Sequence, residues 1–145
     1  MFRQILVGAA ASACNISIHA LIMVALVQIS LKTSKMSASR PSLRLVVVMI
    51  VTVSVLMASH ASEVFVWSLF YAIVGAAPAG TDLGYFAFVN YTTLGYGDVI
   101  PVERWRLVGP LTAMNGVLLF GWSTAVIFDV MRRTMHDFEG RRTKD

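Results

Sequence analysis

The chain has 145 residues, 57 % of them hydrophobic and only 14 % charged, with a formal net charge of +4. That composition and a mean hydropathy of +0.70 exclude an ordinary soluble domain, in which about 25 % of residues are charged. A single cysteine, Cys14, excludes an intrachain disulfide framework and a clustered thiolate metal centre. The basic residues fall in short segments between apolar runs, which is a pattern of membrane topology and implies no nucleic-acid partner.

The first apolar run, Ile5–Leu31, has no charged residue. It is longer than the roughly 20 residues a spanning helix needs. Its small residues from Gly8 to Ala13 suit close packing on a neighbouring helix, and His19 is expected to make a satisfied polar contact. A basic segment follows with Lys32, Lys35, Arg40 and Arg44. The second apolar run, Leu45–Ala76, carries one charge, Glu63. His60 and Glu63 are three residues apart and so share one helical face. Two readings apply to them: a buried pair tying this helix to its neighbour at Asn90 or Tyr91, or a proton sensor, since histidine titrates near neutral pH. Two ligands on one face are too few for a metal site.

The segment Ala77–Arg106 has mixed charge. Within it, Thr81 is expected to cap a short helix with Asp82 in its first turn. The sequence from Leu83 to Thr92 is aromatic and too short to span, so it reads as a re-entrant helix, tolerated at membrane depth where protein covers it. The third apolar run, Leu107–Phe128, is again uncharged and is followed by a tail with Arg132, Arg133, Arg141, Arg142 and Lys144. Positive loops stay in the cytoplasm. Both basic segments lie there together if three helices alternate, with the amino terminus outside and the carboxyl terminus cytoplasmic. Trp67, Tyr71 and Trp105 are expected to form an aromatic belt at the outer interface. No spanning helix carries the spaced arginines of a voltage sensor.

The run Thr93-Leu94-Gly95-Tyr96-Gly97-Asp98 closely resembles the selectivity-filter signature of potassium channels, with Leu94 where valine is usual. The chemistry can be stated independently. A dehydrated cation needs rings of oxygens in place of its water shell. Backbone carbonyls supply them if the backbone alternates in conformation, and glycine reaches positive φ without steric cost. The resemblance extends to Pro101, Trp105, Gly116 and Gly121, as in two-helix bacterial channels. It covers roughly Leu45–Met131 and leaves out the first helix.

The resemblance implies the following. The fold is an all-α membrane protein: three transmembrane helices, a re-entrant pore helix and a filter, assembled as a tetrameric pore. Residues 1–44 form an extra helix with its basic loop, 45–131 the pore domain, and 132–145 a short cytoplasmic tail. The function is passive conduction of K⁺ across a cell membrane by a homotetramer among lipids, not an enzyme and without a cofactor. Filter residues Thr93, Leu94, Gly95, Tyr96 and Gly97 hold the ions, through the carbonyls of the first four and the Thr93 hydroxyl. Gly116 is the hinge, or alternatively a close-packing position, and Val117, Phe120, Thr124 and Phe128 line the cavity. Val89 stands where some relatives have a glutamate behind the filter, so Asp98 needs another partner, and Tyr85 is the candidate. A weakly selective cation channel and a non-conducting accessory subunit are the alternatives.

Overall fold

The computed structural model describes residues 1–34 and 41–142. Four α-helices and one 3₁₀ turn make up the fold: α1 (Phe2–Ser34), α2 (Pro41–Val74), α3 (Leu83–Tyr91), the turn Glu103–Trp105 and α4 (Val108–Arg142). There is no strand among the described residues. α1, α2 and α4 are each long and apolar enough to cross a membrane. At 1.5 Å per residue α4 is roughly 52 Å long, well beyond an apolar layer of about 30 Å. Its helix continues past Met131 to Arg142. Lys35, Arg40 and Lys144 lie outside the described residues.

Local chemistry sets the helix ends. Pro41 opens α2, where its missing N–H costs nothing. Gly75 closes it at φ 62°, and the Ala76 amide bonds back to the Tyr71 carbonyl at 3.1 Å, a Schellman closure. α3 starts at Asp82, not Thr81 as the sequence suggests. The Asp82 side chain accepts a hydrogen bond from the Tyr85 amide at 3.1 Å, so the acid is itself the cap. Gln4, in the first turn of α1, accepts a hydrogen bond from the Leu107 amide at 2.8 Å, just ahead of α4. That contact satisfies a donor at a helix start which would otherwise lack a partner.

The helix directions follow from paired contacts. Gly8 lies against Leu111, Asn15 against Asn115, and His19 against Ser123, so α1 and α4 run parallel. α2 is antiparallel to both: Glu63 meets Asn15 and His19, while Leu56 packs lower, with Met23, Leu26, Val126 and Val130. Alternating spans require this arrangement. Two apolar clusters result. One, packed around α3, joins Ala11, Val64, Trp67, Tyr71, Phe86, Ala87, Tyr91, Trp105 and Val108. The other, farther from α3, is the Met23–Leu56–Val126 group.

Trp67, Tyr71 and Trp105 are at most 3 % exposed, which corrects their reading as an interfacial belt. They pack behind α3 instead, with the Tyr71 and Phe86 rings 5.0 Å apart. The polar ends of Trp67 and Tyr71 find partners inside the protein. The Tyr71 hydroxyl donates to Thr112 Oγ1 at 2.6 Å, because the Thr112 proton already goes to the Val108 carbonyl.

α4 runs unbroken through Gly116, whose role in this conformation is close packing. A Cβ built there would lie 2.1 Å from the Tyr91 carbonyl oxygen. At Gly109, one heptad earlier, it would lie 3.2 Å from Asn90 Oδ1. These two glycines let the carboxyl end of α3 sit directly on α4. Gly116→Ala is expected to cost about 1–3 kcal/mol by overpacking. Gly121→Ala, with nothing within 4 Å in the chain, is expected to be neutral or stabilising by up to about 1 kcal/mol. Thermal unfolding of the two detergent-solubilised variants measures the difference, and equal melting points would contradict this packing.

Candidate functional site

The segment after α3 carries the motif. Backbone φ is positive at Thr93 (60°), Gly95 (58°) and Gly97 (79°). Every second residue is therefore left-handed, as a carbonyl-lined strand requires. Two of the three are glycines, at no steric cost. Thr93 carries a strain of about 1–3 kcal/mol, of the kind that functional sites concentrate.

Backbone hydrogen bonds orient the segment. The amides of Thr92, Thr93 and Leu94 donate to the carbonyls of Phe88, Asn90 and Val89 at 2.9, 3.1 and 3.0 Å, and the Gly95 amide reaches Val89 at 3.5 Å. In a trans peptide the N–H and the preceding C=O point in opposite directions, and the chain has no cis bond. Amides turned back into α3 thus aim the carbonyls of Thr92, Thr93 and Leu94 away from it. Val89 contributes through its backbone carbonyl, a role that its apolar, buried side chain does not disclose.

At the end of this strand, Asp98 accepts a hydrogen bond from the Tyr85 hydroxyl at 2.7 Å, so the motif's carboxylate is tied to the first turn of α3. This bond raises the Tyr85 pKa above its ordinary 10.0, because the ionised phenolate would face the Asp98 carboxylate. Among the residues expected to line a cavity, Val117, Thr124 and Phe128 are exposed on the single chain. Phe120 departs from them. It is half-buried, with its ring 4.7 Å from His60 and 5.3 Å from Tyr91.

A polar layer separates the two apolar clusters, and Glu63 is at its centre. Glu63 is fully buried. Oε1 accepts from His19 Nδ1 at 2.8 Å and from Ser59 at 3.0 Å. Oε2 accepts from His60 Nδ1 at 2.9 Å and from the Tyr91 hydroxyl. His60 Nε2 contacts Ser123 Oγ at 2.9 Å. Asn115, also buried, accepts from Asn15 Nδ2 at 3.2 Å and from Trp67 Nε1 at 3.0 Å. Asn15 Oδ1 and Asn115 Nδ2 have no hydrogen-bond partner. The His60–Glu63 pair thus reaches α3 at Tyr91, one of the two positions expected for it.

Sequence reasoning missed that His19, Asn15 and Ser123 belong to the same layer. Depth would have found them. Counted at 1.5 Å per residue from the helix ends on the α3 side, Phe2, Val74 and Val108, His19, His60, Glu63 and Ser123 all lie roughly 16–26 Å in.

Three spanning helices, a short helix buried among them, and a strand of alternating handedness hung on its carboxyl end define a pore-forming membrane protein. The model of a family described as "Ion channel" matches residues 43–133. The chain belongs to that ion channel family, and α1 lies outside the matched region. No significant match is found among curated proteins or solved structures.

The Tyr85–Asp98 bond gives a direct test. Because the folded pKa of Tyr85 is raised, the bond stabilises the fold up to about pH 10 and is lost as pH rises through the shifted value. Difference absorbance titration should show the same number of tyrosines ionising in the ordinary range in the unaltered chain and in Tyr85→Phe, because Tyr85 ionises above that range. In Asp98→Asn, Tyr85 should return to that range. An unchanged titration in Asp98→Asn would contradict the assignment.

Proposed function

We propose that the chain is the subunit of a homotetrameric K⁺-selective channel. A single chain offers one filter strand, and a ring of oxygens needs several copies about an axis, the closed symmetry that oligomers favour. Carbonyls of Thr93, Leu94, Gly95 and Tyr96, with the Thr93 hydroxyl, replace the water shell of K⁺. Gly97 sustains the alternation, and ions in adjacent sites repel one another onward. Asp98 and Tyr85 hold the outer end of the strand, and Val89 holds its inner end. Val117, Thr124 and Phe128 face the water-filled cavity, and bending at Gly116 widens its inner mouth. The amino terminus lies outside and the carboxyl terminus in the cytoplasm of a cell membrane, in keeping with the positive segments.

The observation that carries this reading is the run Thr93–Asp98 with positive φ at its first, third and fifth residues. The test is the reversal potential of the purified, reconstituted protein with K⁺ on one side of a planar bilayer and Na⁺ on the other. A value near the K⁺ limit is expected. A value near zero with robust current would establish a weakly selective cation channel instead. Current that requires co-reconstitution with another channel subunit would establish an accessory role. Gly95→Ala forces a Cβ into the left-handed region at about 1–2 kcal/mol, so K⁺ flux should fall roughly tenfold in the same assay, with the assembly intact by size exclusion.

A further inference from the structure

We propose that His19, His60 and Glu63 form a binding site for one divalent transition-metal ion of the zinc type, independent of the ions in the filter. The three residues come from two helices, and one ligand atom from each lies within 4.8 Å of the others. His19 and Glu63 are fully buried, and the His60 side chain is 13 % exposed. Two imidazoles and one carboxylate are a recognised zinc ligand set that leaves a fourth position open. Tetrahedral ligands at about 2.0–2.1 Å need only a contraction of the present cluster by about an ångström.

The proton count points the same way. Both histidines turn Nδ1 to the Glu63 carboxylate and Nε2 to one hydroxyl, that of Ser123, at 3.4 Å from His19 and 2.9 Å from His60. With no ion bound and both rings neutral, each Nδ1 carries the proton that Glu63 accepts. Each Nε2 is then an acceptor, and Ser123 has one proton for the two. A metal ion replaces the Nδ1 protons. Each ring then carries its proton on Nε2, and the two lone pairs of Ser123 Oγ accept both. One hydroxyl so placed fixes the tautomer and orientation of two ligands, the usual work of a group behind a metal ligand. Ser59 likewise holds Glu63 Oε1. The Tyr91 hydroxyl, bonded to Glu63 and 2.9 Å from His60 Nδ1, stands beside the fourth position.

The ion would tie α1 to α2 against the last residue of α3. Sequence spacing could not disclose the site, because its third ligand is on another helix.

The test is calorimetric titration of Zn²⁺ into the purified full chain in detergent. One ion per chain is expected, and His19→Gln, His60→Gln and Glu63→Gln should each weaken binding at least tenfold. Ser123→Ala, which removes no ligand, should weaken it roughly tenfold. His136→Gln, at an exposed histidine, should change nothing. Equal affinity in His19→Gln, loss in His136→Gln, or no binding would overturn the proposal. Co²⁺ added to the unaltered protein gives a reading that needs no variant to fold. Intense visible absorption from a four-coordinate ion is expected, and the weak spectrum of solvated cobalt would overturn it.

Discussion

A carboxylate placed where three apolar helices meet constrains everything around it. Glu63 is too far inside to be hydrated, and an unpaired charge at that depth is among the most expensive features a membrane protein can carry. It is tolerated because donors from α1, α2 and α3 converge on its two oxygens. Meeting that requirement fixes the relative depth of the helices more tightly than apolar packing would. Side chains in apolar clusters slide past one another at small cost, whereas removing one partner of a buried charge costs about 3–5 kcal/mol. The layer acts as a register mark between two apolar clusters that are each chemically permissive.

Tyr91 transmits that register to the site. It is the last residue of α3, and its two ends are held by different helices. The hydroxyl reaches Glu63 on α2, and the carbonyl rests in the notch left by Gly116 on α4. The next residues turn their amides back onto α3. The position of the carbonyl-bearing strand is therefore set by a short chain of contacts: carboxylate, phenol, helix end, strand. The aromatic packing of Trp67, Tyr71 and Phe86 behind α3 makes that platform stiff, and the hydroxyl of Tyr71 is satisfied within it.

Much of this was legible in the sequence, for definite reasons. Three uncharged or nearly uncharged runs of spanning length can be little else, and the motif Thr93–Asp98 is read directly because backbone conformation there is dictated by glycine. Tyr85 as the partner of Asp98 followed from the absence of an acid at Val89. What stayed hidden depends on juxtaposition. Trp67 and Trp105 near helix ends look interfacial until a fourth helix is found to cover them. The i, i+3 spacing gave His60 and Glu63 but could not give His19, 44 residues from Glu63. Phe120 shares a helical face with Val117 and Thr124, yet bulky neighbours, His60 and Tyr91, claim its ring.

The contact between Gln4 and Leu107 spans 103 positions of the chain, and the layer contacts of Asn15 and His19 with α4 span 100 and 104. α1 is therefore completed by α4, which follows it by about a hundred residues. Of the partners of Asn15 and His19, those on α2 precede those on α4 in the chain: the Glu63 carbonyl and carboxylate come before Asn115 and Ser123. The order in which these contacts can form is thus set by the order of the chain. α1 gains its full set of polar partners only once α4 has been made, and the start of α4 finds its cap waiting in a segment synthesised before it.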